Sequence, residues 1–216
     1  MKKENPSVEK KKTPVSNYDR LNENWRNLFL QMDHEELARR FRLKTDDGAL
    51  YITFYDREYR LDRRSGAVTE AENPDAPVSF DESMSILNML YYSRPGASVS
   101  GRFVPFRDVK GASPFAPAFE KSVASGLAAP FEGRLDALKR ACEALGGEKI
   151  PQGDAGYILR AFDFMPVMLV FWDGDDEFAA QANLLFDAHI TDFTHEESVC
   201  CIAGALMHRL QELAGA

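Results

Sequence analysis

Along NYDRLNENWRNLFLQM, residues 17–32, Tyr18, Leu21, Trp25, Leu28, Phe29 and Met32 recur at intervals of three and four. That period places them on one face of a helix, and Ser16 or Asn17 can cap its start. A second, shorter helix is expected at once. Asp33 suits its N-cap, and Glu36, three residues on, completes a box-like start to HEELARRF.

The period then changes to two. In ALYITFYDREYRLD, Leu50, Ile52 and Phe54 fall on one side of a pleat and Tyr51, Thr53 and Tyr55 on the other. Strands are predicted near 49–55, 57–62 and 67–71, joined by turns at YD and RRSG, as an antiparallel meander. Four arginines, Arg57, Arg60, Arg63 and Arg64, sit on the second strand and its turn.

NPDAP interrupts the chain before another capping box, Ser79 with Glu82, and a helix over about 80–93 follows. RPGASVSG ends it. RFVPFRDV reads as a short extended piece, and Pro105, which cannot donate to a ladder, assigns it to an edge. Helices are expected near 115–127 and 131–145, the second stopped by Gly146 and Gly147. The strands YILRAF, VMLVFW and ANLLFD come next. A last helix opens at Thr194 and Glu197, with Val199, Ile202, Leu206, Leu210 and Leu213 facing inward. Antiparallel strands in two blocks, about 49–71 and 157–187, packed with amphipathic helices and without repeated βαβ spacing, define an α+β fold. Residues 17–216 read as one domain, and residues 1–16 as a disordered lysine-bearing tail.

Composition fits that picture. A chain of 216 residues, 44% hydrophobic, can bury one substantial core. Its longest apolar run, FMPVMLVFW, is far short of the roughly 20 residues that cross a bilayer. The N-terminus lacks the apolar centre of a signal peptide. A cytoplasmic protein without a membrane partner is expected. Cys142, Cys200 and Cys201 form no CxxC, so neither a disulfide framework nor an intrinsic iron–sulfur cluster is expected.

Charge is uneven. The net −8 is concentrated in residues 161–216, where ten acids face a single basic residue, Arg209. Such a surface repels phosphate backbones, which argues against nucleic acid as a partner. Within FWDGDDEFAAQANLLFDAHITDF, Asp173, Asp175, Asp176 and Glu177 crowd one loop, and Asp187, with His189 two residues later, is placed toward the same rim. Carboxylates this close repel unless a cation relieves them. Three answers are open: arginines of 57–64 across the domain, a divalent cation on hard oxygen ligands, or a cationic ligand or partner. The loop lacks the Gly and Glu of a calcium-binding helix–loop–helix, and DHEEL and THEES lack the second histidine of a zinc helix. No Walker A, G-x-G-x-x-G or G-x-S-x-G sequence occurs. Tyr91 and Tyr92, near Arg94, Arg102 and Arg107, pack as a helix end or accept an anion.

The segments DHEELARRFRLKTDDGALYITFYDREYRLDRRSGAVTE, ILNMLYYSRPG, FVPFRDVKGASPFAPAF and FWDGDDEFAAQANLLFDAHITDF occur in that order. Together they resemble a family of uncharacterised bacterial and archaeal proteins, a domain of unknown function common in anaerobes. Some of its members are joined to an iron–sulfur cluster domain. The resemblance spans roughly 17–212 and implies a setting in anaerobic redox or corrinoid-linked metabolism, with no catalytic residues to carry over. The first functional expectation is a non-catalytic accessory protein binding a small molecule or a redox partner. The alternatives are a divalent-metal-dependent hydrolase or lyase using 173–177 with Asp187, and a structural oligomer subunit.

Overall fold

The structure, a computed structural model, describes residues 17–215; the expected tail lies outside the described residues. Helix α1 (Asn17–Phe29) and helix α2 (His34–Phe41) follow the three-four periodicity. Asp33 Oδ1 accepts from Glu35 N and Glu36 N at 3.0 Å each, which satisfies two of the free amides at the start of α2. Arg42, in the left-handed region at φ 53°, ends it.

Strands β1 (Lys44–Thr45), β2 (Ala49–Phe54), β3 (Arg57–Asp62) and β4 (Val68–Glu70) pair antiparallel in chain order. The β2–β3 turn needs positive φ at both central residues, and Tyr55 at 45° and Asp56 at 57° supply it. Leu50, Ile52 and Phe54 are buried while Thr53 is exposed, as the alternation requires.

Helix α3 (Phe80–Tyr92) starts with a reciprocal capping box. Ser79 Oγ accepts from Glu82 N at 3.2 Å, and Glu82 Oε2 accepts from Ser79 N at 2.7 Å. Every residue from Ser83 to Leu90 is buried, because α3 packs between α1 and the last helix, α7 (Glu196–Ala214).

The second sheet has the order β5-β9-β8-β7-β6, all antiparallel: β5 (Phe103–Pro105), β6 (Glu148–Lys149), β7 (Ala155–Phe162), β8 (Met165–Trp172) and β9 (Gln181–Asp187). Pro105 stands on the edge strand β5. Among the described residues, no helix is long and apolar enough to cross a membrane.

Three local details depart from the sequence pattern. Helix α4 (Ala116–Val123) continues through a π-turn (Ala124–Ala128) into α5 (Ala129–Phe131), so the next helix, α6 (Leu135–Ala144), begins after Gly133 at φ 68°. The cap of α7 is His195, whose Nδ1 accepts from Glu197 N at 3.3 Å. Thr194 belongs to the preceding turn, its N–H bonded to Ile190 O, and the extended conformation a cap requires falls one residue later. Leu213, expected inward, is partly exposed.

The sheets meet at one corner. A bulge between Arg160 and Phe162 takes Ala161 out of the β7–β8 ladder, and its carbonyl accepts from Tyr55 N at 3.0 Å. Phe54 and Phe162 close the seam with ring centroids 4.9 Å apart.

Candidate functional site

Two of the acidic loop's four carboxylates, Asp173 and Asp175, accept from backbone amides. Asp173 Oδ1 accepts from Gly133 N at 2.7 Å and Gly174 N at 2.9 Å. Asp175 Oδ1 accepts from Glu177 N at 2.9 Å and Phe178 N at 2.8 Å, and these donors hold its pKa below the ordinary range. Asp176 and Glu177 are exposed. The arginines proposed as counter-charge pair elsewhere. Arg57 meets Glu70, Glu82 and Glu212, Arg60 meets Asp62, and Arg63 meets Glu35. None of the ion pairs of residues 57–64 reaches the loop.

Asp187 does not share the loop's rim. The loop precedes β9 and Asp187 ends it, so a strand of seven residues, about 20 Å at 3.3 Å per residue, separates them. Among the described residues, no three His, Cys, Asp or Glu side chains gather closely enough to hold a metal ion. Asp187 is buried, 1% exposed, beneath the segment that follows α3. Its Oδ1 accepts from Ser100 N and His189 N, both at 2.9 Å, and its Oδ2 from Gly101 N at 2.7 Å. The Ser100 hydroxyl reaches both oxygens, at 3.0 and 3.1 Å. Burial alone raises this pKa, but the donated hydrogen bonds outweigh it and hold Asp187 below the usual carboxylate value. His189 is exposed, with Nδ1 3.3 Å from Ser98 O. The thiols are no better placed for chemistry, since burial pushes Cys142 up to about 12 and Cys200 up to about 11.

A concavity lies at the corner where the sheets meet. It measures about 910 Å³ and is framed by the end of α2 with β1, the outer face of β2, residues 93–99 after α3, and the β7–β8 turn. Five basic side chains line it, Arg40, Arg42, Lys44, Arg94 and Arg160, against two acids, Glu58 and Asp163. Lys44 is 3.5 Å from Glu58, and Arg94 is 3.0 Å from Asp192. The other three have no carboxylate partner among the described residues. Arg40 donates to the carbonyl of Ser93 and lies over the Phe41 ring at 5.0 Å. Arg160 donates to Asp163 O at 3.2 Å, and the exposed Arg42 side chain has no hydrogen-bond partner among the described residues.

One wall is aromatic. The Phe164 ring stacks on Phe41 at 5.9 Å, on Phe162 at 5.8 Å and on Phe193 at 5.4 Å, with interplanar angles of 26°, 10° and 25°. Phe162 and Phe193 are buried, whereas Phe41 and Phe164 are half-buried and keep ring surface at the groove. Lys44 Nζ stands 5.1 Å from the Tyr51 ring, and both residues also line the groove. Cations held near ring faces beside a stacked wall suit a ligand that is negative at its edge and flat in its body.

The sequence carried a local signal for this groove in RRFRLK, 39–44, and RAFDF, 160–164, where basic and aromatic residues interleave. The first reads equally well as the polar face of α2, and nothing local says that the two segments meet. Fold and site together define an antiparallel two-sheet α+β protein with a cationic, phenylalanine-walled groove at the seam. Residues 33–209 match the family described as "Domain of unknown function (DUF3786)", and the chain belongs to it. No curated protein and no solved structure matches the chain.

Proposed function

We propose that this protein binds a small planar anion in the groove between its sheets, in a non-catalytic accessory role. Arg40, Arg42 and Arg160 hold the charged group, and the flat body lies against Phe41 and Phe164. The observation that carries the reading is three guanidinium groups without a carboxylate partner around one aromatic wall, in a chain whose net charge is −8. Arg57, Arg60 and Arg63, by contrast, each meet at least one acid, and Arg57 meets three. A local excess of positive charge in a concave, partly apolar setting attracts an anion that the molecule as a whole repels. The groove volume lies within the roughly 300–1,000 Å³ common for small-molecule sites.

The test is a titration with flavin mononucleotide, adenosine monophosphate and anilinonaphthalene sulfonate, with riboflavin as the flat body lacking its phosphate. At least one of the anions is expected to bind saturably, more weakly as salt rises, and flavin mononucleotide more tightly than riboflavin. The double change Arg42→Glu with Arg160→Glu is expected to weaken anion binding at least about tenfold, or 1.4 kcal/mol, at an unchanged melting midpoint. Equal affinity in the double variant would retire the groove.

A further inference from the structure

We infer that Asp187 is a positioning residue for this groove: from beneath, it fastens residues 93–101 as the groove's outer wall and thereby sets how tightly the anion is held. The inference rests on the groove reading above.

The segment is fixed at both ends and little in between. At its near end Arg94 N donates to Asp192 O at 2.8 Å, the Arg94 guanidinium meets the Asp192 carboxylate at 3.0 Å, and Arg40 holds the Ser93 carbonyl. At its far end Asp187 takes Ser100 N, the Ser100 hydroxyl and Gly101 N, and Arg102 O accepts from Ala188 N at 2.9 Å. Between them, among the described residues, Ala97 N donates to Arg94 O at 3.1 Å and His189 Nδ1 approaches Ser98 O. Gly96 stands at φ 78° with open space around it. Arg94, Gly96, Ala97, Ser98 and Val99 all line the groove, so the wall is only as well placed as its two fastenings.

Asp187 suits this task chemically. A carboxylate that is 1% exposed is costly unless its oxygens are satisfied, and here four separate donors converge on them. Three of the four donors come from Ser100 and Gly101, and the fourth, His189 N, ties the same carboxylate to the turn leaving β9. Charge-assisted bonds of this kind are about twice as strong as neutral ones. An amide at the same position replaces one acceptor with a donor that faces another N–H.

Hydrogen exchange and anion titration together test this on the full chain, with flavin mononucleotide as the probe and Asp187→Asn and Ser100→Ala as variants. In Asp187→Asn, amides of 97–101 are expected to exchange at least about tenfold faster while those of α3, β7 and β8 keep wild-type rates. The dissociation constant is expected to rise about tenfold, mainly through faster release. Ser100→Ala, which keeps the carboxylate and all three backbone bonds, is expected to show the same two effects at about two- to threefold and keeps the test open if the Asn variant does not fold. In the wild type, bound probe is expected to slow exchange across 96–101. Unchanged exchange in the segment, or faster exchange at unchanged affinity, would overturn the assignment. Failure of the wild type to bind any of the planar anions sinks the groove reading instead, and exchange in the variants then decides separately whether Asp187 fastens the segment.

Discussion

At the scale of single residues, carboxylates in this protein are governed by what donates to them. Asp81 is the exception that makes the rule measurable. Burial between α3 and α7 raises its pKa, the neighbouring Glu82 adds to the rise, and only the Cys201 thiol and distant His208 act against it. A raised folded-state pKa contributes stability below the ordinary value of 3.8 and loses it as pH rises through the folded value. At neutral pH the ionised Asp81 is therefore a burden. Asp81→Asn is expected to melt above wild type at pH 7, with the difference vanishing by about pH 3.5; a lower midpoint at pH 7 would contradict this. The acidic loop was visible as a composition feature, but its resolution was not. Asp173 and Asp175 take amides of Gly133, Gly174, Glu177 and Phe178, and backbone donors leave no mark in a list of charges.

At the scale of elements, most boundaries were legible because their causes are local. The box at Ser79 and Glu82, the Asp33 cap, the Tyr55–Asp56 turn and the alternation along β2 each occupy a few consecutive residues. Ser79→Ala removes one half of the α3 box and is expected to cost about 1 kcal/mol in urea denaturation. The missed features depend on partners far away. Strand β6 exists because Glu148 and Lys149 pair with Ile158 and Tyr157, and β1 because Lys44 and Thr45 pair with Tyr51 and Leu50. The π-turn has a remote prop as well: Gln211 Nε2 of α7 donates to Gly126 O at 2.5 Å. Replacing Gln211 with Ala leaves that carbonyl without its partner, and a loss of about 1 kcal/mol in the same assay is the expected result.

At the scale of the whole molecule, the groove is assembled from residues 40–58, 93–99, 160–166 and Phe193, which no local pattern connects. The bulge at Ala161 was hidden for the same reason, since an extra residue in one strand shows only against its partner. The pH dependence of stability, by contrast, follows from individual hydrogen bonds to carboxylates. Asp62 is pulled down to about 2 by the amide and hydroxyl of Ser65, the Arg64 amide and the Arg60 guanidinium; Asp33, Asp46 and Asp175 are lowered by hydrogen-bond donors, and in Asp187 such donors prevail over burial. Depressed folded-state values contribute stability above about pH 4 and lose it as pH falls through them. Denaturation midpoints are expected to hold from pH 7 to about 5 and to fall between about 4 and 2.

The two sheets share a further trait. All four outermost strands, β1, β4, β5 and β6, are two or three residues long, while the strands they flank run to six, seven or eight. A row of free amides and carbonyls that brief offers a passing chain too few rungs to add onto, and Pro105 removes one more. Borders this brief are poor templates for cross-chain growth by strand addition.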